Sequence, residues 1–129
     1  MSPAKIINIF SKFVGIKDHS KQLEWLFDNL DIERELTNRK LENLSGGNKR
    51  KICMAVCLMG QPKIKLLDEC STGLDPVSRL SMVNLIKLQS KGLVVFTTHS
   101  IPEAEQICSR AIIMKKGEVA EDSRIYKLK

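Results

Sequence analysis

No stretch of this sequence stays apolar for the roughly 20 residues that a membrane-spanning helix needs. Its strongest apolar run, around Leu93-Val94-Val95-Phe96, has the length of a buried strand. A signal-peptide pattern is also missing, because Ser2-Pro3-Ala4-Lys5 leads into an amphipathic stretch and not into a continuous apolar block. The chain by itself is therefore expected to be soluble and cytosolic, with no transmembrane segment. It has no long basic block. The net charge of +6 is spread over 129 residues, reads as a lysine-rich solvated surface and implies no nucleic-acid partner. There is no CxxC pair, and Cys53, Cys57, Cys70 and Cys108 with only two histidines lack the clustering that zinc requires. Cys53 and Cys57 can share a helix face, and all four thiols are expected to be buried and reduced. Internal repeats, low-complexity segments and heptads are absent. What remains is 43% apolar residues, enough for the core of one small domain.

Helical periodicity opens the chain. Ile6, Phe10, Phe13 and Val14 recur at helical spacing before Gly15. Leu23, Leu26, Phe27 and Leu30 form a second stripe, with Asp18 or Ser20 available as N-cap and Trp25 off the stripe. Asp31 to Asn43 is charged and broken, with room for a short helical turn. A third helix is predicted from near Gly47, burying Ile52, Ala55, Val56 and Met59 and ending at Gly60-Gln61-Pro62. Ile64 to Leu67 reads as a strand, and Asp75-Pro76 as the N-cap and first residue of a helix supported by Val77, Leu80, Val83 and Leu88. Leu93 to Thr97 reads as a second strand. Ser100-Ile101-Pro102-Glu103 has the spacing of a capping box opening a short helix to about Cys108. Ala111 to Val119, with Lys116-Gly117 at its turn, reads as a hairpin. The strands are apolar throughout, as in a parallel sheet covered on both faces, so the fold class is α/β.

Four groups of residues carry chemistry. Ser45, Gly46 and Gly47 precede a helix, where free N–H groups, the positive dipole end and a hydroxyl suit an anion. Asp68 and Glu69 end a strand, the edge at which open α/β sheets bind ligands. Paired carboxylates there suit a Mg²⁺ partner and an activator of water. Asp75 follows at Ser71-Thr72-Gly73-Leu74-Asp75-Pro76, and His99 follows the second strand, where imidazole can donate to a phosphate or hold a water.

In this order, Leu44-Ser45-Gly46-Gly47-Asn48, Ile64-Lys65-Leu66-Leu67-Asp68-Glu69, Ser71 to Pro76 and Thr97-Thr98-His99-Ser100 resemble the signature, Walker B, D-loop and switch motifs of the ABC transporter nucleotide-binding domain, most like the lipid-exporting A subfamily. The resemblance implies ATP and Mg²⁺ as cofactors. It implies Asp68 as the residue that orders Mg²⁺ through water, Glu69 as general base and His99 as switch. Ser45, Gly46 and Gly47 would clamp ATP held by a second nucleotide-binding domain in a head-to-tail dimer, with Asp75 across that interface. It further implies partnership with transmembrane domains at the cytoplasmic face of a membrane. Asn48, Lys65 and Cys70 depart from the family pattern, and Lys65 in a covered strand must snorkel or pair.

The sequence contains no G-x-x-x-x-G-K-[ST], the loop that would cradle the β- and γ-phosphates. The resemblance is thus to the C-terminal portion of a P-loop NTPase (RecA-like) domain without its Walker A half. It comprises a helical signature subdomain over 1–60 and a core portion over 61–129. The isolated chain is expected to be marginally stable and inactive as an ATPase. Two alternatives stand beside this reading. One is a non-catalytic fragment that docks on a complete ABC ATPase domain. The other, a chromosome-maintenance ATPase, would continue into heptad coiled coils that this sequence lacks.

Overall fold

The computed structural model describes residues 1–89 and 91–125. Helix α1 (Pro3–Phe13) carries proline in its first turn, and α2 (Ser20–Leu30) follows after a Gly15 turn. Neither expected cap closes α2. His19 occupies the N-cap position without a side-chain bond, and Asp18 accepts hydrogen bonds from the Ser20 backbone and hydroxyl one step outside the helix. Two 3₁₀ turns, Arg34–Asn38 and Leu41–Asn43, fill the broken charged stretch. Then come α3 (Gly46–Leu58), β1 (Ile64–Asp68), α4 (Pro76–Leu88), β2 (Leu93–Thr97), α5 (Ile101–Ile107), β3 (Arg110–Lys115) and β4 (Glu118–Arg124).

Strands β1 and β2 pair in parallel, with Ile64 opposite Leu93 and Asp68 opposite Thr97. Strands β3 and β4 form a separate antiparallel hairpin. The mixture of helix and strand is as expected, but the parallel sheet is covered on one face only. Lys65 and Leu67 point into the core, whereas Ile64, Leu66, Leu93 and Val95 are exposed, Leu66 by 75%. A two-stranded sheet packed by helices on one side leaves its other pleat in solvent, whatever the hydrophobicity of the residues there.

The core is one cluster running from Ile7 through Leu26, Phe27 and Leu30 of α2 and Ile52, Met54, Ala55 and Leu58 of α3 to Met82, Leu85 and Ile86 of α4. It therefore crosses residue 60, and residues 90 and 126–129 of the expected second segment lie outside the described residues. Gln22 fastens α2 to the end of α3: its amide donates to the Leu58 carbonyl at 3.3 Å and accepts from the Gly60 N–H at 3.1 Å. Lys51, buried in α3, donates at 3.1 Å to the carbonyl of Asp31, the left-handed cap of α2.

Helix α4 buries a different stripe from the one expected. Val77, Leu80 and Leu88 are exposed, and Ser78, Met82, Leu85 and Ile86 join Val83 inside. The helix is apolar on most of its circumference, so periodicity alone does not choose a face. The thiols are also less buried than expected: Cys53 and Cys57 are exposed on α3, and Cys70 and Cys108 are half-buried. All four are free. Burial pushes the Cys70 thiol up to about 11, and a hydrogen bond with Cys57 brings Cys53 down to about 6.

Gly92 makes the turn into β2 with φ +89°, and a Cβ there would collide with the Lys63 carbonyl. That carbonyl already accepts the Leu93 N–H at 2.8 Å and sets the register of the sheet. Gly92→Ala is expected to destabilise the chain by about 2 kcal/mol or more, through a strained dihedral and a displaced backbone. A lowered urea midpoint at unchanged slope would register it.

Candidate functional site

The C-terminal ends of β1 and β2 are stitched together by Thr97. Its hydroxyl donates to Asp68 Oδ1, and the Glu69 N–H donates to both the Thr97 carbonyl, at 3.2 Å, and the Thr97 Oγ1, at 3.0 Å. The chain turns sharply here, with Glu69 in the left-handed region at φ +42°. Such a conformation is uncommon for a residue with a side chain and persists where its surroundings hold it. It sets the Glu69 carboxylate facing His99, with Oε1 3.6 Å from Nδ1. Both side chains are exposed, so the pair is open to an incoming ligand. Thr72 Oγ1 lies 3.5 Å from Glu69 Oε2 on the other side.

One buried carboxylate, Glu103, braces this arrangement in a role other than the capping box its spacing suggests. Glu103 shows the spacing of a capping box, but Ser100 makes no side-chain cap. Glu103, 6% exposed, instead accepts from Ser71 Oγ at 2.7 Å and from Thr98 Oγ1 at 2.9 Å, with Arg79 Nε at 3.6 Å. Ser71 lies two residues after Glu69, and Thr98 directly precedes His99. Glu103 therefore ties together the segments that carry the two exposed groups. A buried carboxylate left without those donors would be costly, so this contact draws the α5 N-terminus onto the sheet edge.

Asp75 caps α4 as expected. Its Oδ1 accepts from Val77 N at 3.1 Å and Ser78 N at 3.0 Å, with Pro76 at the first helical position. Hydrogen bonding from Ser78 and the Val77 backbone holds the carboxyl below the usual aspartate value. Its folded-state pKa thus lies below its unfolded value of about 3.9. The stabilisation it gives is complete above the unfolded value and disappears as pH falls through the folded one. Asp75→Ala should therefore lower Tm near neutral pH, and the gap from the parent should close in acid, as read from paired melting curves.

Ser45 is the N-cap of α3, its Oγ accepting from Asn48 N at 3.2 Å. The hydroxyl proton stays available for an external acceptor, and the first helical turn leaves the N–H groups of Gly46 and Gly47 without intrahelical acceptors. Ser45 and Gly46 are exposed, and a Cβ on Gly46 would meet nothing within 4 Å, so the surface there is open. Gly47 rests on Leu74, and Gly73 on Arg50, so the loop before α4 leans on the start of α3. The expected residues thus fall into two groups. Asp68, Glu69 and His99 meet at the sheet edge, whereas Ser45, Gly46 and Gly47 make their contacts with Asn48 and the Leu74 loop beside Asp75.

The arrangement has relatives. The sequence description of the ABC transporter family matches residues 4–72. ABC transporter A family member 11 of Dictyostelium discoideum is 40% identical over 118 residues, 86% of this chain and 14% of that protein. ATP-binding cassette sub-family A member 2 of Homo sapiens is 34% identical over 117 residues, 88% of this chain and 5% of its own length. The chain therefore spans a small part of the curated relatives it matches. Among solved structures, the ATP-binding cassette MJ0796, a dimer in a post-hydrolysis state bound to ADP and Pi, superposes with a TM-score of 0.70 at 29% identity, over 78% of this chain and 44% of that one. An ATP-binding subunit of an ABC transporter shares the fold at a TM-score of 0.87 and 21% identity, over 99% of this chain and 55% of that one. Among the described residues no helix is long and apolar enough to cross a membrane. With its relatives drawn from the A family and its fold that of the ABC ATP-binding subunits, the chain belongs to the ABC transporter family.

Proposed function

We propose that this chain is the C-terminal part of an ABC nucleotide-binding domain of the A type, which takes part in ATP-driven transport at the cytoplasmic face of a membrane. Residues 1–60 would be the helical signature subdomain and 61–129 the remainder of the ATPase core. The observation that carries the reading is the Glu69–His99 pair at 3.6 Å, held at the end of a parallel strand beside Asp68.

The residues fit the nucleotide and metal of the family. Asp68 engages one carboxylate oxygen with Thr97, and its other oxygen would help to hold Mg²⁺ through water; the ion would supply charge neutralisation at the phosphates. Glu69 accepts the proton of the attacking water, and His99 orients Glu69 and donates toward the terminal phosphate. Ser45, Gly46 and Gly47 present a hydroxyl and backbone N–H groups to ATP held on a second nucleotide-binding domain, with Asp75 at that interface. Transmembrane domains of the transporter would be the coupled partners. The phosphate cradle has to come from outside these 129 residues, and turnover by the chain alone is not expected.

The test is to join the chain to a phosphate-loop half from an A-family relative. Mg²⁺-dependent ATP hydrolysis is expected from the joined protein and not from the chain alone. A joined protein that folds and binds ATP without hydrolysing it would defeat the catalytic reading. It would favour instead a non-catalytic module that docks on a complete ABC ATPase domain, a second reading to which the open face of the β1–β2 sheet gives support.

A further inference from the structure

Lys65 departs from the apolar pattern of its strand, and the site at the strand ends does not use it. It lies in β1 with 5% of its surface exposed. Its Nζ has three donors, and one goes to the Lys91 carbonyl at 2.8 Å. Among the described residues no carboxylate lies within ion-pairing distance of it, so the charge is buried without a counter-charge. Burial of an ammonium in that state is unfavourable unless something nearby compensates it.

The surroundings add to the imbalance. Lys65 borders a cleft of about 320 Å³ lined by Gln61, Lys63, Leu88, Gln89, Lys91 and Gly92. Three lysines and two glutamines line this space, and among the described residues no acid does. Lys63 directly precedes β1, and Gly92 directly precedes β2. The cleft thus sits at the N-terminal ends of the two parallel strands, the opposite edge of the sheet from Asp68, Glu69 and His99. A ligand bound here would leave the catalytic edge free.

We propose that this cleft binds a phosphate-bearing anion of charge −2 or more, seated between the Lys63, Lys65 and Lys91 ammonium groups. The three lysines that line the cleft carry three positive charges, more than a single carboxylate neutralises, whereas a phosphate dianion offsets two of them and pyrophosphate more, and either offers oxygens to the two Lys65 donors left over. Lysines act here as point charges, a role that suits phosphate without demanding a planar fork. The same chemistry comes from two sources, a free phosphate compound or the headgroup of an anionic phospholipid.

The experiment uses the full chain and two probes. Inorganic pyrophosphate is titrated at low salt while the Gly92 and Leu93 amides are followed by NMR. In parallel, co-sedimentation is measured with vesicles carrying phosphatidylinositol bisphosphate and with vesicles carrying only phosphatidylcholine. Saturable shifts with pyrophosphate, or retention by the bisphosphate vesicles alone, are expected, and which of the two occurs assigns the source. Lys65→Met, which keeps an apolar stem in the core, should weaken the interaction at least tenfold. Lys21→Gln, which removes the same charge from α2, should change it less than twofold. If Lys65→Met fails to fold, the double variant Lys63→Gln/Lys91→Gln, altered only at exposed side chains, should show the same loss. Binding that is absent with both probes, or that falls equally in Lys21→Gln, would overturn the proposal. Neither result bears on ATP hydrolysis, which is read at the other edge of the sheet.

Discussion

Glu69→Gln in the chain joined to a phosphate-loop half is expected to lower ATP turnover by about 10²- to 10⁴-fold and to leave ATP binding within twofold of the parent. Glutamine keeps the length and shape of the side chain, so the turn at φ +42° and the backbone bonds from Glu69 N to Thr97 need not change. What it loses is the ability to take a proton. The contact with His99 Nδ1 also survives in shape, because an amide oxygen can occupy the position now held by Oε1. A fall in kcat with unchanged nucleotide affinity is therefore the signature of a lost base and not of a distorted site. Single-turnover hydrolysis and equilibrium binding of a fluorescent ATP analogue separate the two quantities. Parental turnover in Glu69→Gln would remove this residue as the base, even with the Asp68–Thr97 contact intact.

The parts of this site that lie close together in sequence were legible before the fold was known. Asp68 and Glu69 are covalent neighbours at the end of an apolar run. Asp75 stands before Pro76, where an N-cap is needed, and Ser45 stands before two glycines that open α3. His99 was legible through its place after a second apolar run, but its 3.6 Å approach to Glu69 depends on the parallel pairing of β1 with β2, which no local pattern encodes. Glu103 was misread because two roles share one spacing. Three residues after Ser100 it suits a capping box, yet the Ser100 N–H donates to Thr98 Oγ1 instead, and the Ser71 and Thr98 hydroxyls take the Glu103 carboxylate. The face of α4 was misjudged for a related reason. Val77 and Leu80 are as apolar as Met82 and Leu85, and only the positions of α2 and the sheet decide which pair is covered. Lys65 was read correctly as a residue needing a partner, but the partner is a backbone carbonyl 26 positions away.

Ser45→Trp is expected to abolish ATP-dependent association with a complete nucleotide-binding domain, a weakening of well over tenfold, or more than about 1.4 kcal/mol. Two effects act together. The substitution removes the acceptor that caps α3 through Asn48 N, at a cost of about 1 kcal/mol to the helix. It also places an indole over the surface that is now open around Ser45 and Gly46, where a partner's phosphate would have to approach the helix N-terminus. Ser45→Ala separates these effects, because it loses the cap and the hydroxyl but adds no bulk, so its association should weaken without vanishing. Sedimentation velocity with ATP, in a background carrying Glu69→Gln to prevent hydrolysis, gives the association constant of each variant. Circular dichroism shows whether α3 remains folded. If folded Ser45→Trp associates like its parent, the loop at Ser45-Gly46-Gly47 does not face the partner's nucleotide, and Ser45 is then only the cap of its own helix. If Ser45→Ala and Ser45→Trp fail equally, the hydroxyl and the cap matter and the open surface does not. Only the graded result, partial loss with alanine and complete loss with tryptophan, requires both a donor at Ser45 and free space above Gly46.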